Sequence, residues 1–165
     1  KPSKFINIST DKAADASTLY GNTKQLGERI TSWAGVHIKG TKSGTVRFGN
    51  VRETRGNVFE IWNEENRRNK PLSITDPTMK RYFIHTNEVI DFILNALLII
   101  NKGEIFVPKM KKFSVKELAN EISKKQKIIG LRQGEKIQEI LLNDEEKERA
   151  IEKKDMWVID PYKKK

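Results

Sequence analysis

Near the start of the chain, Phe5-Ile6-Asn7-Ile8 runs into a polar corner, Ser9-Thr10-Asp11-Lys12, and a helical stretch opens soon after at Leu19-Tyr20-Gly21-Asn22-Thr23-Lys24. The short apolar run bounded by hydroxyls reads as a strand. The helix is expected from Leu19 to about Ala34, because Leu19, Leu26, Ile30 and Trp33 form one apolar stripe that should face a core. A strand that hands over to a helix through a polar corner fixes how the fold begins. Gly21 and Gly27 weaken that helix intrinsically, so a close neighbour is the better reason for them.

Tyr20 and Lys24 stand four apart, on one face and one turn from each other. A cation beside a phenol favours the phenolate, which makes Tyr20 a candidate proton-transfer group. The hydroxyls and carboxylate at the end of the preceding strand could supply a further acid and base. Taken alone, Tyr-x-x-x-Lys is also the spacing of an ordinary surface pair.

With 165 residues the chain is one domain or part of one, long enough to bury a core. It has no cysteine, so disulfides and thiolate metal sites are excluded, and two histidines argue against a His-based metal site. No apolar run approaches the roughly eighteen residues of a membrane span, so a cytoplasmic protein without a membrane partner is expected. The formal net charge of +10 raises nucleic-acid binding. The lysines are spread out and mixed with glutamates, as in Glu145-Glu146-Lys147-Glu148-Arg149, which favours a solvated, ion-paired surface instead. Lys163-Lys164-Lys165 reads as a frayed tail.

Further along, Gly35 to Gly44 reads as a loop with strand character at Val36-His37-Ile38, where His37 is structural. Thr45 to Phe48 reads as a strand, Phe59 to Asn69 as an amphipathic helix, and Pro71 to Thr75 as a strand before an Asp76-Pro77 turn. Thr86 is expected to cap a helix whose run Val89 to Ile100 is apolar nearly all round and therefore buried. Glu104 to Pro108 reads as a strand. Ser114-x-x-Glu117 is a capping box with Phe113 and Leu118 as its staple, opening a helix from Val115 to about Lys125. The last stretch, Asn143 to Tyr162, is charged, and its apolar patch Met156-Trp157-Val158-Ile159 should fold back as a small strand or cap. None of the ten glycines gives the strand-Gly-x-x-Gly-x-x-Gly-helix pattern that holds a dinucleotide pyrophosphate.

Ser9-Thr10-Asp11-Lys12 followed by Tyr20-x-x-x-Lys24 resembles the extended short-chain dehydrogenase/reductases. Within them it resembles the polysaccharide-biosynthesis group of inverting UDP-N-acetylglucosamine 4,6-dehydratases. The likeness continues through Arg47-Phe48-Gly49-Asn50-Val51, Arg55-Gly56-Asn57-Val58, the block from Met79 to His85, and Arg132-Gln133-Gly134-Glu135-Lys136 with Glu139. It departs at Arg52-Glu53 in place of glycine, at Asn57 in place of serine, and at Gln133 in place of proline.

The resemblance implies an α/β fold: the C-terminal part of a doubly wound NAD(P)-binding Rossmann fold plus a small α/β substrate lobe. Residues 1–50 would hold the last strands and catalytic helix, and 51–165 mainly the UDP-sugar lobe, with the glycine-rich cofactor half missing. NADP is the implied cofactor, with NAD possible. Tyr20, assisted by Lys24, would take the sugar O4 proton during hydride transfer from C4, with Thr10 bonded to O4. Lys12 would remove the C5 proton while Asp11 protonates the leaving C6 hydroxyl. Asn50, Arg81, Arg132 and Glu135 would bind the UDP-sugar, the arginines at its diphosphate, and His85 carries no chemistry. Homo-oligomerisation, or pairing with the missing half, is expected. Three alternatives stay open: a UDP-hexose 4-epimerase, a non-catalytic sugar-nucleotide-binding fragment, and, last, a nucleic-acid binder.

Overall fold

A computed structural model describes residues 1–162, so the tail expected at 163–165 lies outside the described residues. Its largest element is a five-stranded sheet in the order β1-β2-β6-β10-β9. β1 (Lys4–Thr10) pairs in parallel with β2 (Lys42–Phe48), aligning Thr10 with Phe48. β6 (Ile105–Pro108) continues the parallel run, and β10 (Met156–Ile159) and β9 (Ala150–Glu152) close it antiparallel. The apolar patch at the end of the chain is thus a full strand of the main sheet.

α1 (Leu19–His37) lies on this sheet, capped by Thr18, whose hydroxyl accepts from Gly21 N–H. It buries a small and polar side, Gly21, Glu28, Thr31 and Ser32. The stripe expected to face the core points outward instead, with Leu19 82%, Leu26 57%, Ile30 58% and Trp33 53% exposed. The helix also runs through Val36-His37, where a strand-like loop was expected. Ile38 N–H still reaches Ala34 O, and the His37 ring stacks on Trp33 and bonds its carbonyl oxygen.

α3 (Thr86–Ile99) packs Val89, Phe92 and Ala96 into the core with Val46, Phe48 and Phe106. It is amphipathic rather than buried all round: Ile90, Leu94 and Leu98 are exposed. Its N-cap is His85 rather than Thr86, and the Glu88 carboxylate accepts from His85 N–H.

A second lobe gathers α2 (Val58–Arg67), β4 (Leu72–Ile74), α4 (Val115–Ile122) and β8 (Gln126–Ile128) around Trp62. The Trp62 indole donates to Ser73 O, which satisfies its polar atom. Ser114 caps α4 as expected, accepting from Glu117 N–H. That helix stops at Ile122 rather than near Lys125, because the chain must turn to pair β8 with β4. A three-stranded sheet, β3 (Asn50–Val51), β5 (Lys80–Ile84) and β7 (Lys112–Ser114), bridges the lobe and the main sheet. Late in the chain, α5 (Asp144–Arg149) is capped by Asn143 and Glu146, a box hidden in the sequence by its surrounding charges.

Candidate active site

β1 delivers Ser9 and Thr10 to its C-terminal end, and a single 3-10 turn at Asp11–Ala13 follows. In parallel α/β sheets this end of the strands is where ligands bind. Asp11 is 1% exposed. Its Oδ1 accepts from the Thr10 hydroxyl at 2.9 Å and from Lys12 Nζ at 3.1 Å, while Oδ2 is buried with no hydrogen-bond partner among the described residues. A buried oxygen without a partner is costly, so this carboxyl stands out in the fold.

α1 crosses directly over this turn. A side chain on Gly21 would come within 2.6 Å of Lys12 O, which is why glycine occupies that position. Gln25 reinforces the contact by donating to Ala13 O at 3.1 Å. Tyr20 projects from the first turn of the helix and is 54% exposed. Lys24 donates to Ile8 O at 3.1 Å and sits 6.0 Å from the Tyr20 ring centre.

The remaining candidates arrive from far along the chain. Arg132 and Glu135 form a tight turn in which Glu135 N–H donates to Arg132 O, Arg132 N–H donates to the Glu135 carboxylate, and Gly134 adopts a φ of 78°. Arg81, on β5, donates to the carbonyls of Lys80, Lys136 and Ile137 and lies 3.8 Å from Glu135. Three of its five N–H donors are therefore spent on backbone carbonyls, one of its neighbour Lys80 and two just beyond this turn, and two remain. Asn50 donates to Tyr82 O at 3.1 Å.

One cavity of about 390 Å³ is lined by Lys12, Tyr20, Asn50, Arg81, Arg132 and Glu135. An adjoining cavity of about 320 Å³ shares Asn50, Arg81 and Glu135 and reaches Thr75 and Phe83 in the bridge to the second lobe. Thr10 and Asp11 connect to the first cavity through Lys12, and Lys24 lies outside its lining.

Three features escaped the sequence reading. Glu139, 5% exposed, faces Lys12 at 3.8 Å. Lys136 pairs with Asp15 at 2.6 Å across the cavity rim. Arg47, within β2 and 1% exposed, pairs with Glu28 of α1 at 2.6 Å and Glu146 of α5 at 2.7 Å. Burial works against the charge on Arg47, and the hydrogen bonds it donates to Glu28 and Glu146 overcome it, so its pKa moves up. An arginine between Val46 and Phe48 in a strand was itself the clue, since a buried charge must be paired. Among the described residues no cluster of ligands could hold a metal ion, and no helix is long and apolar enough to cross a membrane.

The parallel sheet with a site at its strand ends defines a Rossmann-type α/β protein. DesIV, a dTDP-glucose 4,6-dehydratase from Streptomyces venezuelae, shares this fold with a TM-score of 0.72 at 15% identity, over 88% of this chain and 53% of its own. Residues 1–161 match the model of a family described as polysaccharide biosynthesis protein, and the chain belongs to that family. Pen from Bacillus thuringiensis is similar in structure with a TM-score of 0.88 at 32% identity, over 95% of this chain and 52% of that one. A Campylobacter jejuni protein named UDP-N-acetylglucosamine 4,6-dehydratase (inverting) is 33% identical over 96% of this chain and 49% of its own length. A Rickettsia rickettsii protein named UDP-glucose 4-epimerase is also 33% identical, with the same coverage. The chain spans about half the length of the curated relatives it matches.

Proposed function

We propose that this chain provides the catalytic corner and sugar-nucleotide pocket of a C5-inverting UDP-N-acetylglucosamine 4,6-dehydratase of polysaccharide biosynthesis. The observation that carries the reading is the Asp11–Lys12 pair: a buried carboxyl with one oxygen unpartnered among the described residues, bonded to an amine that lines the same cavity as Tyr20 and Arg132. Epimerisation at C4 uses a phenol and a lysine and leaves such a pair idle. Dehydration needs an acid and a base in addition, and this pair supplies both.

A nicotinamide dinucleotide, NADP or NAD, would supply the oxidation and reduction by taking a hydride from the sugar and returning it. The exposed phenol of Tyr20 and the amine of Lys24, at the open end of β1, suit its nicotinamide end. The glycine pattern for its pyrophosphate does not occur in these 165 residues. Tyr20 takes the O4 proton as C4 becomes a ketone, with the Lys24 amine 6.0 Å from its ring centre. The ketone acidifies C5–H, which Lys12 removes, while Asp11 gives a proton to the C6 hydroxyl as it leaves. Arg132 and the free donors of Arg81 face the diphosphate, where planar guanidinium groups bind in pairs. Asn50 and Glu135 hold the sugar and ribose hydroxyls.

The test is product analysis with UDP-N-acetylglucosamine and NADP or NAD. It is run on the chain alone and on the chain fused to the N-terminal half of the Campylobacter jejuni relative. A product lighter by one water, with a 4-keto-6-deoxy sugar, is expected from the wild type. Asp11→Asn should slow its formation by roughly a hundredfold or more. A C4 epimer of unchanged mass would instead establish the epimerase reading.

A further inference from the structure

We propose that Glu139 is a positioning residue for Lys12, fixing its amine in the cavity and stabilising the ammonium formed when it takes a proton; the catalytic part of this role rests on the dehydratase reading. Glu139 is 5% exposed, and its carboxylate faces Lys12 Nζ at 3.8 Å. A carboxylate so far from water is tolerated only with an opposite charge beside it. Lys12 is thus held between two carboxyls, with Asp11 Oδ1 at 3.1 Å on its other side.

The placement of Glu139 is built rather than incidental. Its segment is pinned to the catalytic corner at three further points. Lys136 pairs with Asp15, Asn143 donates to Ala14 O at 2.9 Å, and Gly134 packs so close to Thr18 that a side chain there would lie 2.6 Å from the Thr18 methyl. The other charged groups around the cavity are directed elsewhere: Asp15 to Lys136, Glu135 to Arg81 and to Arg132 N–H, and Arg132 to the mouth. Tyr20 lines the same cavity.

The elimination explains the need for a second carboxylate. In the reacting form the proton of the Lys12–Asp11 pair lies on Asp11; Lys12, as the amine, takes the C5 proton, and the C5–H electron pair becomes the C5–C6 double bond. The C6–O bond breaks, and the proton carried by Asp11 leaves with the hydroxyl as water. Lys12 ends as a cation and Asp11 as an anion, with Glu139 an anion throughout. The new ammonium therefore forms between two carboxylates, and the charge of the group as a whole does not change. The segment that presents Arg132 and Glu135 to the nucleotide also sets the direction of the base.

The contact can be read without substrate or cofactor, by competitive acetylation with limiting acetic anhydride and quantification of Lys12 against the exposed Lys116 by mass spectrometry. Glu139→Gln should raise Lys12 labelling at pH 8 by roughly threefold or more, because a lost carboxylate no longer favours the ammonium. The difference should close near pH 11, where both amines are free; a site merely opened by the substitution would keep it at every pH. Glu139→Asp, which keeps the charge, should restore most of the wild-type rate and guards against misfolding of the glutamine variant. Equal labelling of Lys12 in all three proteins would overturn the proposal. A labelling shift in a protein that, fused to the N-terminal half of the Campylobacter jejuni relative, yields only a C4 epimer would uphold the contact and remove the dehydratase reading. Full dehydratase activity in Glu139→Gln would do the reverse.

Discussion

The second lobe and the main sheet are held together by different means. Around Trp62 the apolar side chains are inside: Leu72, Ile74, Met79, Val115 and Leu118 are all buried, and a strand pair and two helices close over them. The sheet side turns much of its apolar surface outward. α1 shows Leu26, Ile30 and Trp33, α3 shows Ile90, Leu94 and Leu98, and β1 shows Phe5 and Ile8 beside an edge that pairs with no other described strand. The sheet has its own buried core under α3, but between α1, β2 and α5 there is charge, with Arg47 clamped between Glu28 and Glu146. Large exposed apolar patches mark contact surfaces. The lobe exposes fewer large apolar side chains, Ile61, Ile128 and Ile129, than the sheet side, and the candidate site lies where the two meet.

The comparison breaks most readily at Arg47. Arg47→Ala leaves two carboxylates buried without their cation and should cost about 3–5 kcal/mol in urea unfolding. Hydrogen exchange should loosen first in α1, β2 and α5, with the Trp62 lobe still protected. Uniform loosening would mean that the two regions unfold as one.

At the seam, the Glu53 carboxylate accepts from Thr86 N–H at 3.0 Å and bonds the His85 ring. The Thr86 amide first, and His85 second, pull its pKa from 4.5 to about 2. A carboxylate lowered in the folded state stabilises it above the ordinary carboxylate range and loses that effect as pH falls through the folded value. The stability difference between wild type and Glu53→Gln should therefore be full at neutral pH, shrink from about pH 4.5, and vanish below about pH 2. A difference independent of pH would show that the charge is not what ties the two regions.

The smallest effect on stability is expected where the apolar surface is largest. Leu26→Lys with Ile30→Glu should change unfolding free energy by no more than about 0.5 kcal/mol per site, because neither side chain is buried. The same pair should sharply reduce binding of a hydrophobic dye and any concentration-dependent association. A large destabilisation would mean that the stripe is covered in solution.

Local physics explains what could be read from the chain. β1, β6 and β10 are short, largely apolar runs between polar corners, and the Ser114 cap needs only four residues to declare itself. The motif blocks were legible because each is contiguous, and the fold brings Lys12, Tyr20, Asn50, Arg81, Arg132 and Glu135 to one cavity. What failed was relational. The stripe on α1 announces an amphipathic helix but not which side the sheet takes, and Gly21, Thr31 and Ser32 won because small residues let the helix approach. Val89 to Ile100 looked buried all round because composition cannot show that one side has nothing against it. Arg47 with its two glutamates, and Lys12 with Glu139, join residues far apart in sequence, where no period or cap leaves a trace.

The most direct test is a thermal titration of the chain with UDP-N-acetylglucosamine, in parallel on wild type and Arg132→Ala. Arg132 is exposed, so its loss should leave the fold intact. A melting temperature that climbs with ligand concentration in the wild type, and fails to climb in the variant, is the predicted result. No climb in the wild type, or the same climb in both, would contradict the pocket as a UDP-sugar site.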